Sequence, residues 1–413
     1  MQTNTLAIDF GTSNSAAAIP YEHGIYRIPI ERGAETVPTA VFFPMDGGPM
    51  RIGASAADAL ISGEDGRYMR ALKSVLGLPL LHEKRVLGGK RRTIADVITA
   101  FLLEMKQRSE AATGLRFRNA LSGRPVHFHT ADPERDAQAE SDLRACYMAA
   151  GFEQVAFLAE PEAAAIASHG MGAVEQTGLI VDIGGGTSDF SVFRSSGDSV
   201  EVLASHGIRL GGTDFDHALS MDHAMPQLGL GGQLRREMGA GLLPVPRAPY
   251  VDLATWAKIP FLYTSETRRA AMDMARLAVD RTRMGRFVTV LELELGHELA
   301  FAVERGKISA NHGAINSSID MGFIEPDLTG PLTSGDLDAS LEDNRSLLHT
   351  AAEDTLEKAG STRNEIGRVI LVGGSSLMRF VSDEVHALCP NAEILRSEAF
   401  TAVVDGLAMA TRH

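Results

Sequence analysis

The sequence is poor in cysteine and in positive charge, and it has no long apolar run. Two cysteines among 413 residues are too few for a disulfide framework and favour a reducing compartment. No stretch approaches the roughly 18 apolar residues that cross a bilayer, and the N-terminus carries Asp9 where a signal peptide would be apolar.

Only 39 basic residues oppose 53 acidic ones, a formal net charge of −14. Nucleic acid and membrane surfaces are therefore poor partners, and we expect a cytoplasmic protein.

The remaining composition is that of a globular protein. Hydrophobic residues make up 44% of the chain and charged residues 22%, so wholesale disorder is excluded. Strand patterns alternate with helical ones, which predicts the α/β class. We expect a strand near 125–129, a helix from Glu160 to Gly170, a loop over the Gly/Pro-rich residues 229–249 and a long helical insert at 253–311.

Two segments of the chain resemble each other. Residues 5–19 read TLAIDFGTSNSAAAI, and residues 178–193 read GLIVDIGGGTSDFSVF. Each predicts a β-hairpin, because two apolar strands flank a turn of small residues. Asp9 aligns with Asp182, and Gly11 aligns with Gly184. Two copies indicate two related lobes rather than a solenoid.

The two turns have the composition of a phosphate site. Consecutive small residues let backbone N–H groups point into one concavity that binds anions. Two such turns facing each other would hold a polyphosphate from both sides. Asp9 and Asp182 precede the turns and are placed to hold a hydrated Mg²⁺, which keeps most of its waters. No GxxxxGK[ST] motif is present, which disfavours a P-loop NTPase.

Two further features accompany the hairpins. Glu160 and Pro161 open an alanine-rich helix, where the helix dipole favours a carboxylate. Residues 369–377, VILVGGSSL, predict a strand that stops at Gly373 and Gly374, where a backbone can approach a flat ligand closely.

Together these motifs resemble the nucleotide-binding domain of the 70-kilodalton heat-shock chaperones, the DnaK-like family within the actin and sugar-kinase superfamily. The short YegD-like branch, which lacks the peptide-binding domain, is the resemblance that fits best. The matching segments are AIDFGTSNS (7–15), LAEPEAAAIASHG (158–170), VDIGGGTSDF (181–190), GGTDFD (211–216), VERGKI (303–308), VILVGGSS (369–376) and AVVDGLA (402–408).

The resemblance implies a two-lobed, actin-like α/β ATPase fold made of duplicated ribonuclease-H-like domains, with a helical insert in lobe II. We expect lobe I at 1–177, with an insert at roughly 39–106 and a C-terminal helix at about 400–413 packing back on it. Lobe II is expected at 178–399, with the helical insert at about 213–312.

The resemblance also implies ATP or ADP with Mg²⁺ as cofactors and assigns roles to individual residues. The catalytic residues would be Glu160, Asp182, Thr187 and Asp189. Mg²⁺ would be held through water by Asp9, Glu160 and Asp182. The phosphates would contact Gly11, Thr12, Ser13, Asn14, Gly184, Gly185, Gly186, Thr187, Gly211, Gly212 and Thr213. The nucleoside would contact Glu304, Lys307, Ile308, Gly373, Gly374, Ser375 and Leu377.

Three departures from the family bear on function. The lysine that stabilises the γ-phosphate in the family aligns here with Ala57, which predicts slow or absent hydrolysis unless Arg70 or Lys73 substitutes through a rearranged loop. Ile308 and Leu377 stand where the family has two arginines on the adenine, so the cation–π contribution is lost. The chain ends at His413, and without a peptide-binding domain we expect no full foldase cycle.

Three functions fit these observations. The first is an ATP-binding, chaperone-like protein whose lobes close on Mg-nucleotide, with slow hydrolysis or none. The alternative is a non-catalytic nucleotide sensor or scaffold, motivated by Ala57, with the helical segment 253–311 as the surface for a protein partner. A sugar kinase of the same superfamily, recruiting Asp189, is the minor alternative, because no sugar loop is recognisable.

Overall fold

The computed structural model describes residues 4–22, 24–31, 33–168, 176–196, 199–396 and 401–412. The strands within these ranges are β1 (Thr5–Phe10), β2 (Asn14–Tyr21), β3 (Gly24–Arg27), β4 (Val37–Pro38), β5 (Ala40–Pro44), β6 (Arg51–Ile52), β7 (Gly66–Arg70), β8 (Arg85–Leu87), β9 (Lys90–Arg92), β10 (Asn119–Arg124), β11 (Gln154–Ala159), β12 (Gln176–Ile183), β13 (Ser188–Ser196), β14 (Ser199–Ile208), β15 (Gln233–Arg235), β16 (Leu242–Pro244), β17 (Ser318–Asp320), β18 (Thr329–Pro331), β19 (Ile366–Val372) and β20 (Glu393–Arg396). The helices are α1 (Ala54–Ile61), α2 (Ile94–Thr113), α3 (Pro133–Ala149), α4 (Glu160–Ser168), α5 (Gly212–Leu219), α6 (Ala248–Leu253), α7 (Ser265–Leu277), α8 (Arg281–Glu292), α9 (Gly296–Asn311), α10 (Ser334–Ser340), α11 (Glu342–Lys358), α12 (Arg379–Leu388) and α13 (Ala402–Ala410).

Two large sheets share one topology. In the first sheet the strand order is β3-β2-β1-β10-β11, with β4 added beside β2. In the second sheet the order is β14-β13-β12-β19-β20. Each sheet has three antiparallel strands in sequence, followed by two strands that run parallel to the first of them. The repeat seen in the sequence is therefore a repeat of topology, and the predicted duplicated α/β fold is confirmed.

The central strands are apolar because they are covered on both faces. In β12 the residues from Gly178 to Ile183 are all buried, as expected for a strand flanked on both sides within a sheet. In β1, Leu6 and Ile8 have no exposed surface. These two strands lead into the turns that contain the predicted phosphate-binding residues, so the cores of both sheets support those turns.

Helices α4 and α13 join the two sheets in one core. Helix α4 packs on β10 and β11 of the first sheet and on β12 and β13 of the second, while α13 packs on α4 and on β1, β2 and β10. Small side chains allow this close packing: a Cβ on Gly406 of α13 would fall on the backbone carbonyl of Ala163 in α4. The predicted end of α4 at Gly170 lies outside the described residues.

The chain divides into two compact units, Met1–Gly212 with Arg345–His413, and Thr213–Asn344. Both large sheets belong to the first unit. The second unit contains helices α6 to α10 and the two-stranded ribbons β15–β16 and β17–β18. The rings of Tyr250 and Phe287 stack in its core with centroids 4.5 Å apart. Among the described residues, no helix combines the length and apolarity that a bilayer crossing requires.

Two local predictions are wrong. The strand expected near 125–129 ends at Arg124, because Asp136 at the start of α3 accepts hydrogen bonds from the backbone N–H groups of Phe128 (2.5 Å) and His129 (3.0 Å) and holds this segment in a turn. Residues 229–249 are not entirely loop, since β15 and β16 form an antiparallel ribbon within them.

Candidate functional site

A cavity in the first unit lies where the turns of both hairpins meet. The first hairpin pairs Phe10 with Ser15, and the second pairs Ile183 with Ser188, so each turn has the same length. The cavity is lined by Asp9, Gly11, Thr12, Ser13, Asn14, Lys73, Glu160, Asp182, Gly184, Gly185, Thr187, Val372, Gly373, Gly374, Ser375 and Val403. The structure thus brings most of the sequence-predicted phosphate and metal residues to one place.

The two turns approach each other so closely that a side chain on the second would crowd the first. A Cβ on Gly185 would fall on the hydroxyl of Ser13 and lie 3.1 Å from the Cβ of Thr12. A Cβ on Gly186 would lie 3.2 Å from the hydroxyl of Thr12. The requirement here is steric, because any side chain at these positions would occupy the space between the two turns.

A third segment, residues 211–212, packs against the second turn. The backbone N–H of Gly212 donates to the carbonyl of Gly184 at 3.0 Å. A Cβ on Gly211 would lie 2.5 Å from the backbone nitrogen of Gly186. Residues 211 and 212 therefore lie directly on the second turn, as the sequence motif GGTDFD implied.

The double glycine after β19 forms another wall of the cavity. Gly373 has φ +81°, a left-handed backbone conformation, and a Cβ there would fall on the carbonyl of Ile183 and lie 2.7 Å from the carboxylate of Asp182. Both reasons restrict this position to glycine. Gly374 to Leu377 follow as a single 3-10 turn, in which Leu377 is 45% exposed.

Lys73 lies among the carboxylates of the cavity. Its ammonium contacts the Glu160 carboxylate at 2.5 Å, and both side chains are largely buried. Burial alone would lower the pKa of Lys73, but the carboxylates of Glu160, Asp9 and Asp189 together outweigh that effect and raise it. Lys73 is therefore charged, and it is the only lysine or arginine lining this cavity among the residues that the structure describes.

The carboxylates themselves carry more negative charge than one lysine offsets. Burial raises the pKa of Asp9 to about 7, and the nearby Glu160 carboxylate adds to the rise. Burial, with Glu160 and then Asp189, raises the pKa of Asp182 well above its usual value. A bound cation would relieve this repulsion and return these groups to the ionised form.

This donor set fits a hydrated magnesium ion. In the described part of the chain, no group of three or more His, Cys, Asp or Glu side chains is placed to coordinate a metal directly. Carboxylates that are too far apart for direct ligation still suit Mg²⁺, which is commonly held through its own water molecules. Asp9, Glu160 and Asp182 all line the cavity, as contact through water would require.

Asp189 is fixed on the strand beside Asp182. The two residues are cross-strand partners in the β12–β13 pair. The carboxylate of Asp189 accepts a hydrogen bond from the backbone N–H of Val126 at 2.7 Å, and the Thr187 side chain also bonds to it. Burial, followed by repulsion from Glu160, raises the pKa of Asp189 well above its usual value.

Of the residues considered for the lysine position, Ala57 lies outside the cavity lining, and Lys73 lies within it. Ala57 lies in the middle of α1 and does not reach the cavity, whereas Lys73 does. Arg70, the other substitute considered, is the last residue of β7 and pairs with Ala40. The sequence shows Lys73 within the predicted insert at roughly 39–106, which makes it a candidate for the cavity. Its position in space depends on a turn that local sequence patterns do not specify.

The predicted nucleoside residues of α9 lie in the second unit, together with Thr213. The ammonium of Lys307 contacts the Asp216 carboxylate at 2.6 Å, and both are buried. The other oxygen of Asp216 accepts a hydrogen bond from the indole of Trp256 at 3.1 Å. Glu304 lies one turn before Ile308 in the same helix, and Ile308 is 49% exposed.

The fold and this cavity define a class of protein. Two sheets of identical topology, with paired glycine-rich turns and carboxylates between them, are consistent with the two-lobed, actin-like ATPase fold. Residues 81–231 match the sequence model of the family described as Hsp70 protein. That range includes Glu160, the second hairpin and the Gly211–Gly212 segment, and the match supports the Hsp70 and actin-like ATPase superfamily for this chain.

Proposed function

We propose that this chain binds ATP and ADP with Mg²⁺ in the cavity of the first unit and hydrolyses ATP. The observation that carries the proposal is the meeting of both hairpin turns around Lys73 and Glu160. The turns offer backbone N–H groups to phosphate oxygens, and the lysine and carboxylates offer the charges that phosphoryl transfer needs. The Hsp70 match supports nucleotide binding independently.

The residues of the two turns would bind the β- and γ-phosphates. The N–H groups of residues 11–14 and 185–187 would point toward a common anion only if no side chain intervenes, which the close contact between Gly185 and Ser13 supports. The N–H of Gly184 closes the turn by donating to the Thr187 carbonyl at 2.9 Å. Gly211 and Gly212 would add the backbone of a third segment. Residues 373–377 would contact the nucleoside. For Glu304, Lys307 and Ile308, which lie in the second unit, a nucleoside contact stays a prediction from the sequence.

Hydrolysis would depend on charges that are already in position. Lys73 would neutralise negative charge on the γ-phosphate, and Glu160, which holds the ammonium, would also orient the attacking water. Asp182 and Thr187 would help to fix that water, and Asp189 would act from behind them through its hydrogen bond with Thr187. When bound, Mg²⁺ would supply charge neutralisation at the phosphates, with Asp9, Glu160 and Asp182 accepting hydrogen bonds from its waters.

The presence of Lys73 favours an ATPase over a non-catalytic sensor. The alternative of a non-catalytic sensor rests on Ala57 at the lysine position, that is, on a missing positive charge. Lys73, buried beside Glu160, supplies a positive charge and so weakens this alternative. A sugar kinase would need Asp189 beside an acceptor pocket, but Asp189 is 1% exposed and accepts the Val126 N–H. The ATPase therefore explains more of the charged residues than either alternative.

The chaperone-like role extends the proposal to a partner. We retain the YegD-like branch, closure of the lobes on nucleotide and a cytoplasmic location as parts of it. The partner surface would be the helical segment 253–311, where Met272, Val279 and Leu293 are exposed. The acidic net charge continues to disfavour nucleic acid and membrane partners.

Isothermal titration calorimetry with ATP, ADP and AMP, each with and without Mg²⁺, tests the proposal. We expect ATP and ADP to bind with Mg²⁺ and AMP to bind at least about tenfold more weakly, because AMP lacks the phosphates that the two turns would hold. Chelation of Mg²⁺ should weaken ATP binding. Absence of ATP binding at millimolar concentration would refute nucleotide binding, and a single-turnover rate equal to that without protein would refute hydrolysis.

A further inference from the structure

The turn that carries Lys73 has an unusual backbone at both ends. Ala71, just before the 3-10 turn Leu72–Val75, has φ 57°, and Gly77, just after it, has φ +74°. The left-handed region is unfavourable for alanine and persists only where surrounding contacts impose it. Within the turn, the N–H of Ser74 donates to Ala71 and the N–H of Leu76 donates to Lys73. The Ser74 hydroxyl also donates to the carbonyl of Ala71 at 2.7 Å, and the N–H of Leu78 donates to Val75 at 3.1 Å.

Side chains from elsewhere in the first unit hold this turn. One guanidinium nitrogen of Arg209 donates to the carbonyl of Ser74 at 2.9 Å. Nε2 of His129 lies 2.8 Å from the carbonyl of Leu76. The carboxylate of Asp142 accepts from the N–H of Gly77 at 3.1 Å. The carbonyls on either side of Val75 are thus both bound by side chains distant in sequence.

Arg209 and His129 are also bonded to each other, and the chemistry fixes the tautomer. A second guanidinium nitrogen of Arg209 lies 3.3 Å from Nδ1 of His129. Because a guanidinium only donates and a carbonyl only accepts, His129 must be neutral, with its proton on Nε2. Burial lowers the pKa of His129, and the positive charges of Arg209 and Arg135 lower it further, which favours this neutral form.

Arg209 belongs to the segment that touches the second phosphate turn. Its backbone N–H donates to the Thr130 hydroxyl at 3.2 Å, and that hydroxyl donates to the carbonyl of Gly207 at 3.3 Å. Two residues later, Gly211 packs on Gly186. A stretch of three residues, 209–211, therefore bonds to the lysine turn at one end and contacts the second glycine turn at the other.

We propose that Arg209, together with His129, is a positioning residue that holds the turn of Lys73 and so keeps its ammonium in the cavity beside Glu160. The inference rests on the proposed function for its catalytic consequence, since it assigns Arg209 an effect on ATP hydrolysis through Lys73. Its structural part concerns the nucleotide-free protein and can be tested there. Arg209 contacts the turn through the backbone carbonyl of Ser74, so it would act by fixing where the lysine lies.

The structural test is hydrogen–deuterium exchange of the segment 71–78 in the nucleotide-free protein. Arg209→Ala should speed exchange in this segment by about fivefold or more, since the turn loses a charge-assisted hydrogen bond. The exchange rate of Arg209→Lys should lie between those of the wild type and Arg209→Ala. A lysine ammonium lacks the fixed geometry with which the guanidinium bonds to both the Ser74 carbonyl and His129. Arg135→Gln is the matched control: it removes a positive charge near His129, but Arg135 is paired with Asp132 and not with the turn.

The functional test separates binding from turnover. Arg209→Ala should lower kcat by about fivefold to tenfold and change the calorimetric Kd for ATP by less than about twofold. In a Lys73→Ala background the same substitution should have no further effect, because Arg209 acts through Lys73. Arg135→Gln should leave both values as in the wild type.

Each outcome decides one question. Unchanged exchange in Arg209→Ala, or equal changes in Arg135→Gln, would overturn the structural part of the inference. Effects of Arg209→Ala and Lys73→Ala that multiply in the double variant would overturn action through Lys73. A wild-type protein that does not hydrolyse ATP would refute the proposed function, and the exchange experiment would still decide whether Arg209 holds the turn.

Discussion

Replacing Lys73 with methionine removes the positive charge that faces Glu160 and keeps the length of the side chain. In the native protein the ammonium and carboxylate are 2.5 Å apart, and the side chains are 6% and 12% exposed. At an effective dielectric constant of about 20, their attraction would be about 7 kcal/mol. Most of this attraction offsets the cost of removing both charges from water, so it is not the net contribution of the pair.

The net effect on stability follows from what remains after the substitution. Lys73→Met leaves Glu160 beside Asp9 and Asp182 with no cation lining the described cavity. Breaking one side of a buried pair costs about 3–5 kcal/mol. Glu160 lines the cavity, where water can reach its carboxylate, so we expect a loss near the lower end, about 3 kcal/mol in the free energy of unfolding.

The effect on turnover is predicted separately. Loss of a positioned charge at a developing negative charge lowers the rate by about 100- to 1,000-fold. Single-turnover hydrolysis at saturating ATP and Mg²⁺ measures it, and urea denaturation measures stability. Lys258→Met is the matched control, because the Lys258–Asp252 pair has a similar distance of 2.7 Å but a half-exposed lysine. It should change stability by less than about 1 kcal/mol and leave the rate unchanged. A Lys73→Met protein with the wild-type rate would refute the proposed role of the lysine.

Three further substitutions test other parts of the structure. Gly185→Val should abolish ATP binding in calorimetry and lower the melting temperature while the protein stays folded at the assay temperature, because its side chain would overlap Ser13 and fill the space between the two turns. Gly285→Ala, at a helical position with open space, should bind normally, and retained binding by the valine variant would contradict the steric argument. Gly406→Ala should lower the free energy of unfolding by about 3 kcal/mol in urea, since its Cβ would fall on the Ala163 carbonyl, and native stability would show that α4 and α13 are less closely packed. Asp216→Asn should destabilise the second unit by about 3 kcal/mol, because it leaves a buried lysine without its counter-charge; fluorescence of the single tryptophan reports this unit, and an unchanged transition would argue against the pair.

The paired hairpins could be predicted because their signals are local. In each segment an apolar strand leads to an aspartate and then to a turn of small residues, and turn composition largely determines where a hairpin reverses. The structure places Asp9 and Asp182 at equivalent positions, each one residue before the last residue of its strand. The common topology of the two sheets then follows from the same duplication.

The position of Lys73 could not be predicted in this way. The lysine is placed by the left-handed backbone at Ala71 and by hydrogen bonds from Arg209 and His129, which are distant in sequence. Alanine gives no local signal for such a conformation, and the sequence motifs alone place Ala57 at the lysine position. The buried pair of Asp216 and Lys307 was missed for a similar reason, because 91 residues separate its members.

The failed strand near 125–129 shows the same limit at shorter range. Its residues have the composition of a strand, but Asp136 of α3 takes up two of the backbone N–H groups that a sheet would need. Because this segment does not pair in the sheet, the N–H of Val126 can donate to Asp189, and the His129 ring can bond to the Leu76 carbonyl of the lysine turn. The departure from regular structure therefore supplies contacts that a continued strand would not have provided.

The two hairpins have the same geometry but different chemistry. In the second, the cross-strand partner of Asp182 is Asp189, whereas in the first the cross-strand partner of Asp9 is Ala16. The charged residues that complete the cavity, Lys73 and Glu160, lie outside both repeats. Duplication can therefore account for the two turns that we propose bind phosphate, but the proposed hydrolysis would require the asymmetric additions, since attacking water and γ-phosphate need different groups on opposite sides of the reaction. Substitutions within the turns should accordingly affect binding first, and substitutions of Lys73 or Glu160 should affect turnover first.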